Sequence, residues 1–174
     1  MREKSAGELH ELAADIEAEL SKLRRLEQDV LQVHDEITRD PSRAHIFYEN
    51  LALKLHNFYT GCERILRMVA TELNGALPTG FDWHRRLLER FSAEREGRPA
   101  LLSTTTAQHL QEYLAFRHIV RNLYGFELDT ARLERLVDNY PSVSLAFDTD
   151  VRNFVGWMRR LAAQLENAQT SSDS

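Results

Sequence analysis

The chain has 174 residues, enough for one domain with a real core and too few for two. Hydrophobic residues make up 43%, which excludes a disordered chain, and a net charge of −5 excludes a protein that grips nucleic acid with its whole surface. No apolar run approaches the ~20 residues of a membrane span. The charged start "MREKSAGELHEL" lacks the apolar stretch of a signal peptide, and the single Cys62 fits a reducing cytoplasm.

The first predicted element runs from about Ser5 to Asp40. Leu9, Ile16, Leu23, Val30 and Ile37 recur every seven residues, with Leu12, Leu20, Leu26 and Val33 between them. This is a coiled-coil-like seam on one helix, roughly 50 Å long at ~1.5 Å per residue. Pro41 in "DPS" stops it. A second long helix spans about Ser42 to Leu73, with Phe47, Leu51, Leu55, Phe58, Cys62, Ile65, Leu66 and Val69 on its apolar face. "NGALPTG" breaks it, and "DWHRRLLERFS" reads as a short helix capped by Asp82. "EREGRPALLSTTT" is a loop whose threonines can cap the next helix, from about Thr105 to Phe126. A last helical region covers Thr130 to Ala168, bent near Pro141, and 169–174 is expected to be a disordered tail.

With Gly at 7 and Pro at 4, and no alternating strand pattern, these stripes predict an all-α fold: an antiparallel four- to five-helix bundle with a long N-terminal helix. Residues 1–168 are read as a single domain, with helix 1–40 preceding a bundle over 42–168. The N-terminal seam is expected to pack within its own bundle, an intermolecular surface being the alternative.

Several chemistries lack their residues. None of the seven histidines follows a Glu by three, so the paired Glu-x-x-His of a di-iron bundle is absent. No two histidines stand four apart, as a helical zinc pair needs, and His45 and His56 are ~16 Å apart along their helix. Cys-x-x-Cys, Gly-rich phosphate loops and Gly-x-Ser-x-Gly are missing too. No metal or cofactor is expected.

The stretch "FRHIVRNLYGFELD" is different. On a helix, Phe116, Ile119, Val120 and Leu123 gather into an apolar stripe. Arg117, Arg121 and Tyr124 form one polar row, and His118 and Asn122 a second beside it. Arginine holds phosphate and offsets charge in its transition state, and histidine moves protons near neutral pH. The same pattern also suits the solvated face of an amphipathic helix. "DWHRRLLERF" adds Trp83, His84, Arg85, Arg86 and Arg90, either an RNA-facing patch or a solvated basic helix anchored by Trp83. The row Tyr59, Glu63, Arg67 is expected to be an intrahelical salt-bridge ladder, and Cys62 a small core residue.

At Arg117, followed after four residues by Asn122, Leu123 and Tyr124, the sequence resembles the HEPN superfamily and, within it, the HepT-like toxins. That family carries Arg, four to six residues, then His, often extended to His-x-Tyr. "EYLAFRHIVRNLYGFELD" and "LALKLHNFYTGCERIL" extend the resemblance over roughly Ile46 to Leu165. It implies a metal-independent endoribonuclease, cytoplasmic and homodimeric, that cuts RNA (tRNA or mRNA) by attack of the RNA's own 2′-hydroxyl. It also implies a nucleotidyltransferase antitoxin that transfers AMP to the motif tyrosine, here Tyr124. Arg117, His118, Arg121 and Asn122 are then the catalytic candidates, with Arg85 and Arg86 as RNA contacts. Asn122 departs from the family, because an amide cannot shuttle a proton at neutral pH. Either His118 and the arginines compensate, or the chain is a non-catalytic HEPN subunit that binds a nucleotidyltransferase. A structural helical dimer with no nucleotide connection is the third reading.

Overall fold

The structure, a computed structural model, describes residues 4–74, 76–95, 97–120 and 128–172. The described residues form five α-helices and no strand: α1 (Ala6–Arg39), α2 (Ala44–Asn74), α3 (Trp83–Phe91), α4 (Thr104–Val120) and α5 (Thr130–Ser172), with a 3-10 turn at Pro41–Arg43. The all-α expectation holds.

Helix α1 begins with a reciprocal cap. The Ser5 hydroxyl accepts from Glu8 N–H while the Glu8 carboxylate accepts from Ser5 N–H, so two otherwise orphaned donors are satisfied. Its heptad leucines, isoleucines and Val30 are buried. They pack within the chain, against α2 and α5. Both neighbours run antiparallel to α1, as the cross-helix ion pairs show: Glu19 meets Arg64 and Asp29 meets Lys54 on α2, while Glu17 meets Arg159 and Arg24 meets Asp148 on α5.

Phe58 lies at the centre of the bundle. Its ring makes edge-to-face contacts with Tyr113 of α4 at 5.2 Å and Tyr140 of α5 at 4.9 Å between centroids. Tyr113 Oη donates to the Leu136 carbonyl at 2.7 Å, a buried bond joining α4 to α5. Cys62 is fully buried one turn from Phe58, as a small core residue should be.

Helix α3 is too short to hold itself and is pinned on several sides. Leu87, Leu88 and Phe91 are buried, and Arg86 and Arg90 donate to the Thr79 and Ala76 carbonyls of the preceding loop. Arg98 is buried over the Phe91 ring and donates to the Arg90 and Pro99 carbonyls, closing the loop behind α3. Gly97, at φ 79°, supplies the left-handed turn that lets Arg95 and Arg98 exchange backbone hydrogen bonds.

Three local expectations are corrected. Asp82 precedes α3, but its carboxylate takes no helix N–H and accepts from Arg85 at 3.1 Å instead. The cap of α4 is Ser103, whose hydroxyl accepts from Thr106 N–H at 3.0 Å, rather than one of the threonines. Helix α5 runs past Ala168 to Ser172, the Thr170 hydroxyl bonding back to the Asn167 carbonyl at 2.9 Å. Pro141 lies inside α5 without ending it.

Truncating Phe58 to Ala removes the ring on which three helices converge, so the chain should lose about 3–5 kcal/mol. Tyr113→Phe should lose about 1 kcal/mol. Urea unfolding of both variants checks this, and a Phe58→Ala loss no greater than that of Tyr113→Phe would contradict the placement.

Candidate functional site

Tyr59, Glu63 and Arg67 stand four residues apart on α2 and so share one face. That face looks towards α3 and the end of α4. The expected salt-bridge ladder does not form; each side chain reaches across to another helix. Glu63 is buried, with its carboxylate 2.5 Å from His84 Nδ1. Arg67 places its guanidinium 5.8 Å from the Trp83 ring centroid, and Trp83 stacks on His84 with centroids 3.7 Å apart. Tyr59, fully buried, lies 5.9 Å beneath the Arg117 guanidinium.

His84 is the hub. Its side chain is 12% exposed and that of Glu63 is 6% exposed, so the two polar groups satisfy one another almost out of water. Arg117 Nη1 stands 3.4 Å from the other ring nitrogen, Nε2. A guanidinium can only donate, and a carboxylate can only accept. The consistent tautomer therefore carries its proton on Nδ1, donated to Glu63, and a lone pair on Nε2 turned to Arg117. The His118 ring meets the His84 ring edge-on at 5.8 Å.

The charges around His84 oppose one another. Burial lowers its pKa below the ordinary value, Glu63 raises it, and Arg117 and His118 lower it again, for a net downward shift. Tyr59 is pushed well above the usual phenol range, first by burial and then by Glu63, so its hydroxyl stays protonated. Arg117 is half-buried and, among the described residues, makes no ion pair with a carboxylate. Its Nε is buried with no acceptor among the described residues. Among the described residues the guanidinium thus sits beside a histidine and a tyrosine with no carboxylate in direct contact, an arrangement suited to an anion.

Two depressions flank the Glu63–His84 pair. One, about 850 Å³, is bordered by Phe81, His84, Arg85, Gln111, Leu114 and His118. The other, about 680 Å³, lies between α1 and α2 and includes Glu63, Arg64 and Arg67 on its wall. The first is where Arg117's neighbours open to solvent, and Phe81 at its rim is fully exposed.

Of the sequence-predicted site, Arg117 and His118 come together on the last described turn of α4. Arg121, Asn122 and Tyr124 lie outside the described residues. Phe116 is buried, and Ile119 and Val120 are half-buried, in keeping with their stripe. Arg85 is exposed and paired with Asp82 and Glu89, while Arg86 is exposed and spends one donor on the Thr79 carbonyl. Trp83 packs against the core, as the anchored reading has it, but its ring also backs the site. The sequence reading missed the pairing of Glu63 with His84. The available signal was a glutamate on the apolar side of α2, one residue from Cys62, where a lone carboxylate needs a partner. Among the described residues no group of three or more His, Cys, Asp or Glu side chains is placed to hold a metal ion.

The family described as HepT-like protein matches residues 50–158, more than half of the chain, and includes α3, α4 and all of the site just described. The chain belongs to this family, and with it to the HEPN superfamily. No curated protein and no solved structure matches the chain. No helix among the described residues is long and apolar enough to cross a membrane.

Because the pKa of His84 is lowered on folding, protonation favours the unfolded chain. Its contribution to stability is complete above the ordinary histidine value of ~6.5 and is lost as the pH falls below it. Unfolding free energy measured between pH 7.5 and 5 should fall less steeply in His84→Gln than in the unaltered chain. An identical slope would contradict the burial of a neutral imidazole.

Proposed function

We propose that this HepT-like chain is a metal-independent endoribonuclease that acts as a homodimer and is held inactive by a nucleotidyltransferase antitoxin. The observation that carries the reading is Arg117. This arginine falls at the motif position, is half-buried without a carboxylate partner among the described residues, and lies against an imidazole. Nuclease chemistry on a phosphodiester asks for a fixed cation at the phosphate and a titratable group within reach of the attacking hydroxyl. Family membership supports the toxin class.

In this reading the RNA backbone lies along the α4 end, with Arg117 and Arg121 on the phosphate and His118 and Asn122 beside it. Arg85 and Arg86 extend the basic surface from α3, and the dimer sets two such ends into one cleft. Tyr124 follows Arg117 by seven residues in the sequence and is the group that would receive AMP. Residues 1–168 act together as one cytoplasmic domain, with no cofactor.

Asn122 favours a second reading, a HEPN subunit that binds its nucleotidyltransferase without cutting RNA. The two part at Arg117. Cleavage of total RNA in EDTA should fall by about two orders of magnitude or more in Arg117→Ala, the cost of removing a transition-state cation. An Arg117→Ala variant that cuts as fast as the unaltered chain contradicts the nuclease reading. Stable capture of a nucleotidyltransferase with no cleavage would establish the second one.

A further inference from the structure

The histidine that the motif lacks at Asn122 leaves the proton-transfer role open, and the fold brings another imidazole to Arg117 from a different helix. We infer that His84, oriented by Glu63 and facing Arg117, is the group that takes the proton from the attacking 2′-hydroxyl, an inference that rests on the ribonuclease reading.

The geometry is that of an oriented general base. Glu63 fixes the tautomer from behind by accepting from Nδ1, which leaves the Nε2 lone pair aimed at Arg117, 3.4 Å away. Trp83 stacks on one face of the ring and the His118 ring meets it edge-on, so the imidazole has little freedom to turn. A phosphate oxygen on the Arg117 guanidinium lies about 2.8 Å from its nitrogens. In the proposed complex the adjoining 2′-hydroxyl displaces the 3.4 Å Arg117–Nε2 contact and takes its place within the ~3 Å that proton transfer needs. His84 is nearly buried yet borders the 850 Å³ depression, the opening through which a nucleotide would reach its ring while Glu63 covers Nδ1. Phe81 and Leu114 give that depression an apolar wall and Gln111 an amide, while the Asp82 carboxylate on its border is paired with Arg85.

The step balances without a metal or a further reactant. His84 Nε2 takes the 2′-hydroxyl proton as the 2′-oxygen forms a bond to phosphorus. The bond from phosphorus to the 5′-oxygen breaks, and that oxygen leaves with the electron pair and takes a proton from water. The imidazolium returns its proton to the resulting hydroxide, leaving a 2′,3′-cyclic phosphate and a 5′-hydroxyl end. Glu63 does not touch the substrate; it is a positioning residue.

Among the described residues, the charged and titratable groups around His84 are Tyr59, Glu63 and Arg67 from α2, Arg117 and His118 from α4, and Asp82 and Arg85 beside it in the chain. Of these Glu63 is the contact that favours a protonated ring, so removing its charge must make His84 a weaker base. Glu63→Gln keeps an acceptor for Nδ1–H and removes only the charge.

The test is the pH profile of kcat/KM on a short RNA in EDTA, for the unaltered chain, Glu63→Gln and His84→Gln, with a 2′-O-methyl oligonucleotide as binding probe. The rate of the unaltered chain should rise with pH along a one-proton limb, and Glu63→Gln should shift that limb to lower pH. His84→Gln should lose the limb and about 10²-fold or more in kcat, with binding of the probe unchanged. Added imidazole should restore part of the rate to His84→Ala. A His84→Gln enzyme that keeps both rate and limb overturns the inference and leaves the ribonuclease reading standing, as does a variant altered in KM alone. An unaltered chain that cuts no RNA overturns both. If His84→Gln fails to fold, the direction of the Glu63→Gln shift decides alone.

Discussion

A carboxylate and an imidazole meeting almost out of water are what tie this molecule's site together. Glu63 belongs to the buried face of α2, where an unpaired carboxylate would be costly. His84 lies in the first turn of the short helix α3, which has nine residues and could not persist alone. Their contact fixes where α3 begins, and the Arg98 guanidinium, bonded to carbonyls on both sides of the loop, fixes where it ends. With α3 held at both ends, the second nitrogen of His84 has one direction to face, and Arg117 is there.

The bundle is held together away from this corner. Phe58, Tyr113 and Tyr140 join α2, α4 and α5 by edge-to-face packing, and α1 closes the other side with its heptad seam. The long N-terminal helix buries that seam inside the chain and turns charged residues outward, where they pair with α2 and α5. The α1 seam is therefore spent within the chain. The exposed Phe81 and the depression beside it lie next to the candidate site, where a second molecule would also cover Arg117's neighbours.

Much of this was legible in the sequence, and what was not has physical reasons. The helices followed from period: Leu9 to Ile37 at intervals of seven and the stripe from Leu51 to Val69 are buried as written, with Phe47 partly so. Element ends were less readable, because Ser103 and the threonines after it are equally able caps and only the loop's path selects Ser103. Arg117 was readable from its spacing within the motif. The Glu63–His84 pair was not, because the two residues are twenty-one apart and a Tyr-Glu-Arg row at intervals of four looks like local ion pairing. Only the tertiary placement of α3 turns that row outward to a different helix. Arg121, Asn122 and Tyr124, which the sequence singles out, lie outside the described residues, so their part in the site rests on the motif.

The proposed ribonuclease activity puts phosphodiester cleavage at the Arg117 corner, through the RNA's own hydroxyl and without a metal. The most direct measurement is the chemistry of the ends produced when the purified chain is incubated with tRNA in EDTA, read by mass spectrometry of the fragments. Attack by the 2′-hydroxyl should leave 2′,3′-cyclic phosphate and 5′-hydroxyl ends. Fragments bearing 5′-phosphates and 3′-hydroxyls, or cleavage that requires a divalent ion, would contradict it.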